Sequence, residues 1–264
     1  MPWIGFNFQW MFSWQPGAAP QPTDYKALDF LQSHGFNFAR LATDYRFWTK
    51  DFDYLHPDER VFASIDSYLA ACQDRNIHFS LNMHRMPGYC INRPDIEKHN
   101  LWVDKEAQDG LVFQWETFAR RYKGTPPNDL SFDLINEPPD IGQYGMTRDV
   151  HESLIRRVVA AIRAIDAERP IVIDGLEGGH TAMPELADLD VIHSGRGYQP
   201  MQVSHYGASW WEGWKGYEPV YPGGNWQDKS WDRETLREFY QPWRAVEDLG
   251  ASVHMGEFGC YNQT

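Results

Sequence analysis

The sequence is poor in cysteine, positive charge and long apolar segments, and each shortage excludes a class of protein. Its 264 residues include three cysteines, Cys72, Cys90 and Cys260, which are too few for a disulfide framework and form no C-x-x-C zinc pair. Lys and Arg number 24 against 37 Asp and Glu, and the net charge of −13 disfavours nucleic acid and anionic membranes as partners. No apolar run reaches the ~20 residues that a membrane-spanning helix needs.

Two motifs of common protein classes are also missing. Neither G-x-G-x-x-G nor G-x-x-x-x-G-K occurs, so the sequence lacks the glycine-rich loop with which many nucleotide-binding sheets hold phosphate. We therefore expect no cofactor. The chain starts Met1-Pro2-Trp3 without the basic and apolar regions of a signal peptide. Both an intracellular protein and a leader outside these residues stay open.

Aromatic residues, in contrast, are abundant, at 15% of the chain with 12 Trp, 13 Tyr and 15 Phe. They fit either a large apolar core or a surface on which the C–H faces of sugar rings stack. The segment 206–231 concentrates Trp and Tyr among glycines, and we expect an extended loop there. It either packs on itself as a lid or lines a groove with aromatic platforms. Trp10, Trp14 and Trp48 follow early strands and are placed to line the other end.

Short β-rich runs alternate with amphipathic segments along the chain. This alternation predicts parallel strands joined by helical crossovers, in either an open doubly wound sheet or a closed barrel. The number of strands and the missing phosphate loop favour the barrel. Strands are predicted at 3–8, 36–41, 77–83, 130–135, 170–174, 201–205 (or 190–193 instead) and 251–256. Helices are predicted at 23–34, 61–76, 105–122, 148–167 and 232–249.

Polar side chains stand where these strands end, which is where such a barrel builds its active site. The strand ends carry, in chain order, Arg40, His84, Asn136-Glu137, His205-Tyr206 and Glu257. Two carboxylates across one barrel mouth suit glycoside hydrolysis, because one can donate a proton while the other attacks or activates water. The sequence does not fix the separation of the two carboxylates, which decides between retention and inversion.

These residues lie in motifs that resemble glycoside hydrolase family 5, the cellulase-like family of (β/α)8 TIM barrels. The motifs are L-I-N-E-P around Glu137, M-G-E-F-G around Glu257, R-L at Arg40, L-N-M-H-R-M-P-G around His84 and S-H-Y at His205. The resemblance implies that Glu137 is the general acid/base and Glu257 the nucleophile of a retaining reaction. The same resemblance assigns substrate binding to Arg40, His84, Asn136 and His205. Tyr206, Trp210 and Trp211 complete the predicted sugar contacts.

Two departures from the family pattern stand out. Many members have His-x-Tyr at the end of strand six, whereas Tyr206 directly follows His205, so Tyr198 is a second candidate for the tyrosine that orients the nucleophile. The eighth strand and its subsite tryptophan are missing. We therefore expect residues 1–264 to form one catalytic TIM barrel domain that is truncated after strand seven. The last βα unit is either lost or supplied by a second chain that completes the barrel.

The family covers several neutral β-linked glycans, and β-1,4-glucan is the first choice of substrate, which predicts an endo-β-1,4-glucanase. Mannan, xylan and β-1,3-glucan stay open, as does endo or exo action. A polysaccharide hydrolase is expected to be secreted or extracytoplasmic. A non-catalytic carbohydrate-binding barrel is the alternative of another class. A metal hydrolase using His84, His205 and His254 is disfavoured because H-E-x-x-H and H-x-H are absent.

Overall fold

The fold is a curled sheet of seven parallel strands with helices on its outer face, described in a computed structural model for residues 2–261. The strands are β1 (Gly5–Met11), β2 (Phe38–Asp44), β3 (His78–Arg85), β4 (Leu130–Asp133), β5 (Ile171–Asp174), β6 (Ile192–Gly197), β7 (Gly224–Trp226), β8 (Lys229–Trp231) and β9 (Ser252–Phe258). The large sheet has the order β1-β2-β3-β4-β5-β6-β9, and β7 and β8 form a separate antiparallel hairpin. This arrangement confirms the expected TIM barrel topology up to its seventh strand.

Helices connect the strands at nearly the predicted positions. They are α1 (Tyr25–Ser33), α2 (Phe62–Gln73), α3 (Lys105–Arg121), α4 (Arg148–Ile165), α5 (Leu176–Gly179), α6 (Met201–Ser204) and α7 (Arg233–Asp248). The N-cap of α4 is Thr147, whose side chain accepts a hydrogen bond from the Val150 N–H at 3.2 Å. The apolar stripe of α4, including Leu154, Val158 and Ile162, is buried, as its helical spacing predicts. None of the described helices is long and apolar enough to cross a bilayer.

The strand predicted at 201–205 is wrong. Residues Met201–Ser204 form one helical turn, and the sixth strand of the sheet is Ile192–Gly197, which extends the alternative at 190–193. A four-residue run such as M-Q-V-S fits a helical turn as well as a strand, and Pro200 supplies a backbone that suits a helix start. His205 and Tyr206 therefore follow a helical turn above the sheet rather than a strand end.

The sheet curls far enough to bring its two edge strands, β1 and β9, near each other. The Asn7 side-chain amide of β1 donates to the Gly256 carbonyl of β9 at 3.3 Å. Large aromatic side chains, including Trp48, Trp102 and Trp115, fill the space between the sheet and its helices. The carboxyl ends of the strands thus face one another across a concave surface, which is where the polar residues of the sequence motifs meet.

Candidate active site

Glu137 stands just after β4 on a strained backbone that two hydrogen bonds hold in place. Its φ of 46° lies in the left-handed region, which is uncommon for a residue other than glycine. Its N–H donates to Asp174 Oδ2 at 2.9 Å, and its carbonyl accepts a hydrogen bond from the Tyr89 hydroxyl at 2.7 Å. Backbone strain of this kind persists only where the surroundings fix it, and it is concentrated at functional sites.

Glu257 lies near the end of β9, opposite Glu137. Arg40 of β2 donates from Nη1 to Glu257 Oε1 at 2.6 Å, and the Tyr198 hydroxyl donates to Oε2 at 3.0 Å. A register shift in the pairing of β6 with β9 precedes Glu257. The neighbouring Gly256 is required there, because a Cβ at this position would lie 2.3 Å from Ser194 Oγ. The local backbone therefore turns the Glu257 side chain into the concave face.

A buried network of charges supports both carboxylates from below. Arg196 of β6 donates from Nε to Glu137 Oε1 at 3.0 Å, and its Nη2 lies 3.4 Å from Glu257 Oε1. Asp174 of β5 pairs with the same guanidinium through both oxygens. Asn136 accepts from Arg40 at 2.9 Å and from Arg196 at 3.1 Å. Two arginines thus fix the geometry of the carboxylate pair.

The surroundings shift the pKa values of the two carboxyl groups in opposite directions. Burial and the nearby Glu257 charge raise the pKa of Glu137 to about 7. Burial also acts to raise the pKa of Glu257, but Arg196 and Arg40 outweigh it and lower that pKa to about 2. Near neutral pH, Glu137 thus retains a proton to donate while Glu257 is ionised. This is the division of roles that an acid and a nucleophile need.

Both carboxylates open into a groove with aromatic walls. The groove begins as a cavity of about 610 Å³ that contains Glu137 and Glu257. Along one rim, Trp210 makes edge contacts with Trp14 and Tyr261, with ring centroids 6.3 Å and 4.9 Å apart. A second cavity of about 570 Å³ continues past Trp211, which lines both. The groove therefore has room for a ligand longer than one sugar ring.

The family of this protein follows from a match that covers almost the whole chain. The model of the family described as cellulase (glycosyl hydrolase family 5) matches residues 2–264. The chain belongs to glycosyl hydrolase family 5. The curled seven-strand sheet corresponds to the (β/α)8 barrel of this family.

Solved and curated relatives of this family 5 protein agree with that assignment. A crystal structure described as a glycoside hydrolase is 63% identical, with a TM-score of 0.97 over 100% of this chain and 80% of the other. The endoglucanase of Thermotoga maritima is 22% identical, with a TM-score of 0.71 over 91% of this chain and 73% of the other. Cellodextrinase A of Ruminococcus flavefaciens is 24% identical over 85% of this chain and 65% of its own length. The chain thus spans just under two thirds of that curated relative.

Most of the predicted sugar-contacting residues of this family 5 chain face the groove. Of the seven residues predicted to bind sugar, those that line the groove are His84, His205, Trp210 and Trp211. Burial lowers the pKa of His84 to about 3, so its ring is neutral near pH 7. Asn136 is buried below the groove, and its Nδ2 has no hydrogen-bond partner among the described residues.

The tyrosine next to Glu257 is Tyr198 and not Tyr206. Tyr206 packs its ring against Trp214, with centroids 5.3 Å apart, and is not among the residues that line the groove. Tyr198 follows β6 by one residue and reaches Glu257 directly. The family pattern His-x-Tyr is therefore matched in position by Arg196-Gly197-Tyr198, with arginine in place of histidine.

Sequence reasoning missed Arg196, Asp174 and His180. The spacing of Arg196 from Tyr198 is the signal that would have found the arginine. His180 lies at the junction of the two cavities, and its Nε2 has no partner among the described residues. His254 lies inside the barrel near Trp3, because the register shift in β9 between His254 and Glu257 turns both side chains inward. Within residues 2–261, no three His, Cys, Asp or Glu side chains form a group that could hold a metal ion.

Proposed function

We propose that this family 5 protein is a glycosidase, namely a retaining endo-β-1,4-glucanase in which Glu137 is the acid/base and Glu257 the nucleophile. The observation that carries the proposal is the pair of oppositely shifted carboxyl groups at one groove. Glu137 has a pKa of about 7 and Glu257 a pKa of about 2, so the free enzyme holds one proton and one negative charge where the reaction needs them.

The reaction proceeds in two steps. Glu257 attacks the anomeric carbon while Glu137 protonates the departing glycosidic oxygen, which leaves a covalent glycosyl ester on Glu257. Glu137, now ionised, removes a proton from water, and that water attacks the same carbon and releases the sugar. Tyr198 and Arg40 hold the nucleophile through hydrogen bonds of 3.0 Å and 2.6 Å. Two inversions give net retention at the anomeric carbon.

The groove supports a neutral, extended glycan as the substrate. Trp210 and Trp211 offer flat apolar faces, while Asn136, His84 and His205 offer polar groups for hydroxyls. The second cavity extends the groove beyond the carboxylates, and this room for a chain of several sugars favours cleavage inside a chain. Two relatives are named cellodextrinase and endoglucanase, and these names also favour β-1,4-glucan as the substrate.

Hydrolysis of a polysaccharide panel tests the proposal. Carboxymethyl-cellulose, mixed-linkage β-glucan, mannan, xylan and β-1,3-glucan are incubated with the folded protein, and Glu257→Ala serves as the blank. We expect reducing ends from the first two glucans above the blank, together with an early fall in the viscosity of carboxymethyl-cellulose. Preferential release from mannan, xylan or β-1,3-glucan would replace the substrate assignment. Binding without turnover of any polymer would indicate a carbohydrate-binding barrel.

We also propose that residues 1–264 act as one catalytic unit and that a second chain adds at the sheet edges. The support is the order of the sheet, in which β1 and β9 each pair with one strand only among the described residues, together with the exposure of Phe6 (47%) and Phe258 (70%) on these two strands. Exposed strand edges of this kind are ready to pair with another strand. Sedimentation velocity is expected to give a dimer, and a fully active monomer would contradict the second chain.

A further inference from the structure

Arg196 occupies the space between the two carboxylates. Its Nε lies 3.0 Å from Glu137 Oε1 and its Nη2 lies 3.4 Å from Glu257 Oε1, and its side chain is fully buried. Arg40 differs, because its hydrogen bonds go to Glu257, Asp133 and Asn136. The charge of Arg196 is therefore within reach of either reacting carboxylate, whereas that of Arg40 is aimed at Glu257.

The protein holds this guanidinium rigidly. Asp174 accepts from both terminal nitrogens, and Asn136 Oδ1 and Ser194 Oγ accept at 3.1 Å each. Bidentate pairing of this kind fixes the plane of the guanidinium. Two glycines make room for it: a Cβ on Gly179 would lie 2.6 Å from Arg196 Cγ, and one on Gly256 would lie 2.8 Å from Nη1. Arg196 is thus a fixed positive charge in a site shaped around it.

The proposed reaction moves one negative charge between the two carboxyl groups. In the free enzyme Glu257 is ionised and Glu137 carries a proton. After the first step, an oxygen of Glu257 is bonded to the anomeric carbon as a neutral ester, and the proton of Glu137 has gone to the leaving oxygen. Glu137 is then the anion. The pair carries one negative charge in both states, but on opposite sides of the guanidinium.

We infer that Arg196 is a positioning residue that serves both steps as a shared counter-ion, stabilising ionised Glu257 in the free enzyme and ionised Glu137 in the covalent intermediate. Of the two reacting carboxylates, Arg40 stabilises only Glu257. This inference rests on the proposed function and deepens it, because it explains how one site supports a nucleophile first and a base second. It also gives a reason for arginine at the position where the family pattern has histidine.

Other ionisable groups surround the pair. They are Arg40 of β2, His84 of β3, Asp133 of β4, Asp174 of β5, Tyr198 after β6, His180 after α5, Tyr89 after β3 and His254 of β9. Burial lowers the pKa of His84 to about 3 and that of His254 to about 4, and it raises those of both tyrosines, so these four stay neutral near pH 7. Burial raises the pKa of Asp133 to about 6, and its hydrogen-bond partner Arg40 lowers that pKa more than Arg196 does, so Arg40→Gln disturbs the titration of Asp133 more than Arg196→Gln.

The test compares Arg196→Gln with Arg40→Gln. Loss of either arginine raises the pKa of Glu257 and moves the acid limb of the kcat/KM profile to higher pH. Only loss of Arg196 also raises the pKa of Glu137, so only Arg196→Gln is expected to move the alkaline limb upward, by about one pH unit. Arg196→Lys, which retains the charge, is expected to return that limb towards the wild type. An alkaline limb that is unmoved in Arg196→Gln, or equally moved in Arg40→Gln, would overturn the inference.

A kinetic readout follows from the second step. With 2,4-dinitrophenyl β-cellobioside the leaving group needs little protonation, whereas deglycosylation still needs ionised Glu137. At pH 6, Arg196→Gln is therefore expected to slow deglycosylation on the order of tenfold and to show a burst of one dinitrophenolate per enzyme. Arg40→Gln is expected to show a smaller burst or none, since it affects the first step. A burst of equal size in both variants would contradict a role for Arg196 in the second step.

Two measures keep the test decisive. If Arg196→Gln does not fold, Arg196→His replaces it, because histidine fits the family pattern at this position and is neutral at the alkaline limb. The pKa of Glu137 is also followed directly by NMR of 13C-labelled glutamate, with Glu137→Gln to assign the signal, and is expected to rise in the Arg196 variant. An unchanged pKa would overturn the inference even in an inactive protein. Absence of turnover by the wild type would instead count against the proposed function.

Discussion

Removal of the Tyr198 hydroxyl tests how the nucleophile is kept ionised. The hydroxyl donates to Glu257 Oε2 at 3.0 Å in a partly buried setting. A hydrogen bond to a charged group contributes about 1.5–3 kcal/mol, and one pKa unit corresponds to about 1.4 kcal/mol. Tyr198→Phe is therefore expected to raise the pKa of Glu257 by about one to two units from its value of about 2.

The sign of the effect on activity follows from the role of Glu257. Only the ionised carboxylate attacks, so a higher pKa removes activity at low pH and leaves it near neutral pH. The assay is kcat/KM between pH 2.5 and pH 8 for 2,4-dinitrophenyl β-cellobioside, whose leaving group makes little demand on Glu137. The acid limb is expected to move from about pH 2 to between about pH 3 and pH 4.

Tyr122→Phe is the matched control. Its hydroxyl donates to Asp66 at 3.0 Å, the same kind of bond at the same length, but at the end of α3 away from the groove. The control is expected to lose similar stability in thermal unfolding and to keep the wild-type acid limb. An acid limb that stays in place in Tyr198→Phe, or moves equally in both variants, would refute the reasoning.

Three further predictions concern the acid, the pH range and the groove. Glu137→Gln is expected to lose about 10²–10⁴-fold in kcat/KM, which reports the first step, on polymeric glucan and much less on the dinitrophenyl glycoside; equal losses of kcat/KM on both would remove its role as the acid. For the wild type acting on glucan, kcat/KM is expected to fall above about pH 7, as Glu137 loses its proton, and below about pH 2, as Glu257 gains one; a fall starting near pH 5 would contradict this assignment. Trp211→Ala, which empties the wall shared by both cavities, is expected to lower kcat/KM on long glucan about 10–100-fold and that on the dinitrophenyl glycoside less; equal reductions would argue against an extended groove.

Amphipathic periodicity predicted the long helices well. The predicted segments 105–122 and 148–167 became Lys105–Arg121 and Arg148–Ile165. In a helix of 15 or more residues, the apolar stripe is long enough to show which face packs on the sheet, and a capping residue such as Thr147 marks where the helix begins. The local sequence therefore suffices to predict such a helix. The strand ends with Glu137 and Glu257 were predicted for a related reason, since parallel strands of a barrel present their carboxyl ends to one face.

The sixth strand shows where the local pattern fails. Residues 192–197, I-H-S-G-R-G, carry few apolar side chains, although most of the strand is buried. Their burial is possible because Arg196 pairs with Asp174 of the adjacent strand β5 and with Ser194, and because it also reaches Glu137 after β4 and Glu257 of β9. The carboxylates lie on other strands and meet Arg196 only when the sheet has formed and curled, which periodicity does not encode. The positive φ of Glu137 was unpredictable for the same reason, because the bonds that hold it come from Asp174 and Tyr89.

Covalent trapping tests the central claim, that Glu257 is the nucleophile, most directly. The protein is incubated with 2,4-dinitrophenyl 2-deoxy-2-fluoro-β-cellobioside, digested with trypsin and analysed by mass spectrometry. The claim predicts one fluorocellobiosyl group per protein, on Glu257 in the tryptic peptide 245–264. A label on Glu137 in the peptide 124–148, or no label from a protein that still hydrolyses the parent glycoside, would contradict it.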